Sequence, residues 1–293
     1  CCARVCHAPT AYGMQQSFGT GAATNSVDDL ERTELIMLIG ANPTQGHPVT
    51  GARIKQLVMK GVPLIVIDPR RIELVDLADF HLQLRPGTNV ALLNMFAYFI
   101  FEAGLVDKGF VAERCEGFDE FRESILGLDI DRLETVTGVD RNLVRDAAVA
   151  YASADRAMSF HGLGVTEHSQ GSKTVMLISN LAMMTGNIGR EGVGVNPLRG
   201  QNNVQGAADM GVQPHQGAGY LDLTQSDVRE QYEAAYGVSL PHHIGYKIPQ
   251  MFDAAHDKKL KALWIIGEDV VQTDPNSAHV KASLENLDFL VVQ

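Results

Sequence analysis

Short apolar runs closed by glycine, aspartate or proline recur along the chain, with helically spaced stretches between them. Leu35–Ile39 runs into Gly40-Ala41-Asn42-Pro43, residues 63–67 into Asp68-Pro69-Arg70-Arg71, and residues 80–84 into Arg85-Pro86-Gly87-Thr88-Asn89. Ala157–His161 runs into Gly162-Leu163-Gly164, residues 261–266 into Gly267-Glu268-Asp269, and residues 289–293 form a last run. Near-continuous apolar strands of this length indicate sheets buried on both faces, hence parallel strands. Helical spacing fits residues 48–60, 90–103, 140–152 and 172–184; in the last, Val175, Ile178, Leu181 and Met184 recur at three-residue steps. The expected fold is α/β and doubly wound, with mainly parallel sheets and Rossmann-like dinucleotide-binding domains.

In such folds the ligand sits beyond the carboxyl ends of the strands. Five strand ends here carry Gly, Asn or Asp: Gly lets a backbone approach a ligand, and Asn and Asp side chains can read a base or sugar. Each alone reads as an ordinary strand-to-helix turn; five together suggest a large nucleotide-like ligand. A boundary is expected near Gly200, giving a domain over 1–200 and part of a second α/β domain over 201–293. Residues 201–246, rich in Gly, Gln and Asn, show little periodicity and suggest a functional loop region or crossover.

At 45% hydrophobic and 20% charged, the 293 residues are those of an ordinary globular chain, long enough for roughly two domains. The net charge of -11 argues against a dedicated nucleic-acid binder, though a local basic site for small anions remains compatible with it. The most apolar stretch, 90–105, contains Asn94 and Glu102 and reads as a buried helix, so no membrane insertion is expected. The chain begins at Cys1 without a leader and ends within a strand-like run; a fragment of a longer cytoplasmic protein is the expectation.

Three of the four cysteines crowd into Cys1-Cys2-Ala-Arg-Val-Cys6-His7. A thiolate followed by imidazole suits a soft metal ligand, a nucleophile with its base, or haem attachment. Cys2 to Cys6 is one residue too long for the haem motif, and zinc would need paired cysteine spacings not found here. Cys115, by contrast, reads as an inert buried thiol. A second segment, Gly192-Val-Gly-Val-Asn-Pro-Leu-Arg199-Gly-Gln201-Asn202-Asn203-Val-Gln205-Gly, places four side-chain amides beside an arginine. It fits a polar heterocycle with Arg199 gripping a carboxylate, or equally an exposed polar loop. His47, His161 and the His242-His243 pair support no metal site by themselves. Neither a GxxxxGK[ST] loop nor a strand-linked GxGxxG occurs, so ordinary ATP or NAD binding lacks its fingerprint.

These two segments, with the GANP, DPRR, RPGTN, GLGVT, LAMMTGNIG and GEDVVQTD segments in order, resemble the catalytic subunit of molybdenum or tungsten formate dehydrogenases, within the dimethyl sulfoxide reductase superfamily. The resemblance implies a bis-molybdopterin guanine dinucleotide cofactor carrying Mo or W, and oxidation of formate to carbon dioxide or the reverse. It puts Cys6 in the place of the metal-ligating cysteine or selenocysteine, His7 in that of the residue handling the substrate proton, and Arg199 in that of the formate-orienting arginine. Gly40, Asn42, Asp68, Arg70, Gly87 and Asn89 match positions at one guanine dinucleotide. Gly162, Leu163 and Gly164, with Gln201 and Asn203, match positions near the pterins. Gly267, Glu268, Asp269, Thr273 and Asp274 match those at the other dinucleotide. Cys1 and Cys2 take structural places. Glu167 stands where the family usually has Gln, and an ionised carboxylate cannot donate as an amide does.

The resemblance further implies iron–sulfur electron-transfer partners. The family's four-cysteine 4Fe-4S segment and its C-terminal cap have no counterpart in these residues, so the 293 residues alone are expected to be inactive. Two other readings stay open: a sister molybdopterin oxidoreductase such as a nitrate reductase, and an α/β binding module without catalysis.

Overall fold

The computed structural model describes residues 6–293, so the expectation for Cys1 and Cys2 falls outside the described residues. Backbone contacts divide the chain into one unit of His7–Gly200 and another of Gln201–Gln293 together with Cys6.

In the first unit five parallel strands form one sheet in the order β3-β2-β1-β4-β5. They are β1 (Leu35–Ile39), β2 (Leu64–Ile67), β3 (Phe80–Leu82), β4 (Ala157–His161) and β5 (Gly194–Pro197). Every residue of β1, β2 and β4 is buried, as their unbroken apolar runs require when helices cover both faces. Odd positions of β1 (Leu35, Met37, Ile39) pack into one core and even positions (Ile36, Leu38) into the other. Helix Asn89–Glu102 supplies Leu92, Leu93, Met95, Phe96 and Ile100 to the larger core, where Phe96 meets Tyr151 edge to face at 5.9 Å between ring centroids. Helix Gly171–Met184 packs on the same side through Val175, Ile178, Leu181 and Met184, the three-residue series seen in the sequence.

The predicted helices over 48–60, 90–103, 140–152 and 172–184 appear as Pro48–Met59, Asn89–Glu102, Arg141–Ser153 and Gly171–Met184. β5 has no counterpart among the predicted strands. Its Gly-Val-Asn-Pro sequence lacks an apolar run, and Pro197 is tolerated because the strand lies at the sheet edge, paired with β4 from Met158↔Gly194 to His161↔Pro197. Cys115 is half-buried rather than buried; it ends helix Lys108–Arg114, and partial burial raises the pKa of its thiol.

In the second unit β6 (Ala262–Ile265) and β7 (Phe289–Val292) pair in parallel. Ile265 joins Phe252, Val270 and Val280 in a small core, while Trp264, Phe289 and Val292 are exposed among the described residues. The expectation of strands buried on both faces therefore fails here, because the described residues cover this sheet on one side. The stretch 201–246 also carries more structure than its composition suggests, including helices Val204–Asp209 and Ser226–Tyr236. The latter buries no residue and so shows no apolar stripe to betray it. No described helix is long and apolar enough to cross a membrane.

The strand order reverses between β1 and β4, and the chain leaves both through glycines that touch. The Gly162 N–H donates to Ile39 C=O at 3.1 Å and the Gly164 N–H to Gly40 C=O at 3.0 Å. A Cβ on Gly164 would lie 2.8 Å from the Gly40 Cα, and one on Gly40 would lie 2.7 Å from the Gly164 carbonyl carbon. Gly164→Ala is expected to lower stability by about 2–3 kcal/mol, since backbone must move to admit the methyl. Gly46→Ala, where a Cβ meets nothing within 4 Å, should stay within about 0.5 kcal/mol of the parent. Urea unfolding midpoints of the two variants check this.

Candidate active site

A cavity of about 420 Å³ opens at the β1/β4 switch point. Its wall includes Gly40, Asn42, Asp68, Arg70, Gly87, Asn89, Gly162, Leu163 and Gly164. The positions matched to one dinucleotide thus converge with three of those matched to the pterins. Each lies in the loop after a strand or in the first turn of the helix beyond it, as parallel α/β topology dictates. Asp68 is 4% exposed; its Oδ1 accepts from the Arg70 N–H at 2.8 Å, turning the chain sharply after β2. His81 Nε2 donates to the Asp68 carbonyl at 3.0 Å, and Asn89 Nδ2 to the Gly164 carbonyl at 3.2 Å. Asn42 Oδ1 accepts from Thr44 Oγ1 at 2.7 Å. Gly87 has φ +85 and open space where a Cβ would stand, so the turn into helix Asn89–Glu102 keeps its backbone bare.

The second unit has its own cavity of about 640 Å³, walled by Gln201, Asn203, Trp264, Gly267 and Glu268 among others. Gln201 and Asn203 therefore share a wall with residues matched to the second dinucleotide, while Gly162–Gly164 line the cavity of the first unit. Asp269, Thr273 and Asp274 are not on that wall. Asp269 caps helix Val270–Thr273 by accepting from the Gln272 N–H at 3.3 Å, Thr273 Oγ1 donates to the Asp269 carbonyl at 3.0 Å, and Asp274 accepts from the Asn276 N–H at 3.0 Å. Glu167 is exposed at the end of helix Leu163–Thr166.

Cys6 is 6% exposed and His7 7%. His7 precedes helix Ala8–Phe18, with Pro9 near its start. Neither ring nitrogen of His7 has a hydrogen-bond partner among the described residues. Burial, helped by the charge of Arg199, lowers its pKa to about 4, so the imidazole is neutral at pH 7. Arg199 lies two residues beyond the end of β5. The Leu198 N–H donates to the His161 carbonyl at 2.8 Å, and the Arg199 guanidinium donates to the Gly21 carbonyl at 3.2 Å. His47 Nε2 donates to the Arg199 carbonyl. In the sequence His47 is marked only by standing before Pro48, between helices Pro43–Gly46 and Pro48–Met59. His242 and His243 are exposed, as expected of loop residues.

Whether these residues fit a bulky polar cofactor can be judged from the first unit. Buried His7 has two ring nitrogens without a hydrogen-bond partner among the described residues, the strand ends present bare glycine backbone, and Asn42, Asp68 and Asn89 offer both donors and acceptors on one wall. Among the described residues no three His, Cys, Asp or Glu side chains gather to hold a metal. A metal here would need most of its ligands from a cofactor, with Cys6 as a soft thiolate.

His161 lies at the end of β4, 1% exposed. Its Nε2 is 3.3 Å from Thr10 Oγ1, which is 2.6 Å from Thr166 Oγ1. A relay of donors from Nε2–H through both hydroxyls to the Gly162 carbonyl leaves only the Nδ1 lone pair without a partner. Burial lowers the His161 pKa to about 4. The unfolded chain takes up a proton near pH 6.5 that the folded one refuses. Stability from this group is therefore complete above pH 6.5 and declines as pH falls toward 4, by about 3 kcal/mol in all. Urea unfolding at pH 7 and pH 4.5 should show this loss, and His161→Gln should reduce it.

The residues 1–293 match the model of the molybdopterin oxidoreductase family. The chain is 42% identical over 294 residues to formate dehydrogenase H of Escherichia coli (strain K12), covering all of this chain and 41% of that protein. It is 43% identical over 292 residues to the F420-dependent formate dehydrogenase subunit alpha of Methanocaldococcus jannaschii, again along its whole length and 43% of the relative. The chain thus spans less than half the length of these relatives. Among solved structures, acetylene hydratase from Pelobacter acetylenicus superposes with a TM-score of 0.74 at 23% identity, over 99% of this chain and 42% of that one, which speaks for the fold. The chain belongs to the molybdopterin oxidoreductase family.

Proposed function

We propose that these residues form the central part of a formate dehydrogenase, converting formate to carbon dioxide, or the reverse, at a bis-molybdopterin guanine dinucleotide centre with Mo or W. The observation that carries this reading is a buried, neutral His7 within reach of the charge of an arginine that is itself anchored to Gly21. That pairing suits a small carboxylate whose C–H bond must be broken. The formate dehydrogenases among the relatives support the choice of substrate.

When bound, the cofactor supplies the two-electron redox step, and Cys6 would add a thiolate ligand to its metal. Gly40, Asn42, Asp68, Arg70, Gly87 and Asn89 on the wall of the 420 Å³ cavity would hold one guanine dinucleotide, and Gln201, Asn203, Gly267 and Glu268 the other. Arg199 grips the formate carboxylate with its planar fork and fixes the direction of the C–H bond. His7 is placed to receive the proton at a ring nitrogen, which the balance requires: formate yields carbon dioxide, one proton and two electrons. Iron–sulfur centres in the longer protein or its partner subunits, a 4Fe-4S cluster among them, would carry those electrons away.

In the full-length parent, purified with its metal, formate should drive dye reduction, and Arg199→Ala should cut kcat/KM by about 100-fold or more, the scale of a lost bidentate charge-assisted pair. Turnover of nitrate in place of formate would keep the family and move the substrate. A fully matured parent without bound molybdenum or tungsten would contradict the reading.

A further inference from the structure

Arg199 is useful to a carboxylate only if its backbone cannot drift, and the His47 side chain, outside the reaction, bonds to that backbone. The Arg199 carbonyl lies 2.5 Å from His47 Nε2. A carbonyl only accepts, so the proton sits on Nε2. His47 is itself firmly held. It stands at the joint of helices Pro43–Gly46 and Pro48–Met59, its N–H donating to the Pro43 carbonyl at 2.9 Å and its carbonyl accepting from the Gly51 N–H at 2.8 Å. Pro48 narrows its backbone choices further. Gly51 makes this joint possible, since a Cβ there would lie 2.7 Å from the Pro43 carbonyl oxygen. On the other side, the sheet register fixes the chain up to Leu198, and Gly200 follows Arg199 with nothing of its own to restrain the turn. Without His47, the peptide between Arg199 and Gly200 would lose the described bond that sets its direction.

We propose that His47 is a positioning residue for Arg199, fixing through the backbone where the guanidinium meets the carboxylate of the substrate. This rests on the reading of Arg199 as the formate-orienting residue. His47 also lies on the wall of the 420 Å³ cavity. A role confined to holding cofactor would show instead as lost metal.

The test uses the full-length, metal-loaded enzyme and its His47→Ala, His47→Gln and Arg199→Ala variants. Four quantities are read: KM for formate, kcat per bound metal atom, metal content, and the dissociation constant of acetate by calorimetry. Acetate is a carboxylate without the reacting C–H bond. His47→Ala should raise both the formate KM and the acetate constant about tenfold, the effect of one lost hydrogen bond to a binding group. Its kcat per metal should stay within about threefold of the parent, with metal content unchanged. His47→Gln, whose amide can donate to the same carbonyl, should recover most of the loss. Unchanged formate and acetate affinities in His47→Ala, or activity lost only in proportion to metal, would overturn the proposal. If Arg199→Ala weakens formate while His47→Ala does not, His47 alone is wrong. If Arg199→Ala leaves formate affinity unchanged, the reading of Arg199 fails and takes this proposal with it.

Discussion

Where β1 and β4 end, two backbones meet with no side chain between them. Gly40 and Gly164 stand so close that a methyl on either would collide with main-chain atoms of the other. That contact lets the first turns after both strands open onto one crevice instead of two separate ones. The cavity adjoins this contact, and Asn42, Asp68 and Asn89 reach its wall from beyond the ends of β1, β2 and β3. The twist and strand order of a doubly wound sheet create the crevice, and the glycines keep it open at backbone level.

The polar groups beneath depend on the same packing. β5 pairs with β4, so Leu198 is fastened to the His161 carbonyl and Arg199 emerges at a set place. His7 and His161 are each held neutral by burial, one beside the Arg199 charge and the other in a hydroxyl relay through Thr10 and Thr166. Buried uncharged imidazoles cost stability below pH 6.5, a sign that the fold preserves proton acceptors in dry surroundings at some expense.

Much of this was legible in the residues alone. β1, β2 and β4 read as strands because their apolar runs are unbroken, and their buried positions follow. The loops of the first cavity were legible as Gly, Asn and Asp at strand ends. β5 was hidden because Gly-Val-Asn-Pro is a strand by virtue of its neighbour, not its own propensity. Ser226–Tyr236 was hidden because a helix that buries nothing carries no periodic stripe. His47 was passed over because its partner is a backbone carbonyl 152 residues away, a contact no local pattern encodes. The grouping of the lining residues also escaped the sequence: Gln201 and Asn203 share a cavity wall with Gly267 and Glu268 in the second unit.

The proposed function assigns one guanine dinucleotide to the crevice between β1 and β4 and another to the second unit. Acid release and quantification of nucleotide from the metal-loaded full-length protein tests it most directly. The account predicts GMP in a ratio of about two per metal atom, one for each dinucleotide of the cofactor. Release of a different nucleotide, or of none at full metal occupancy, would contradict it.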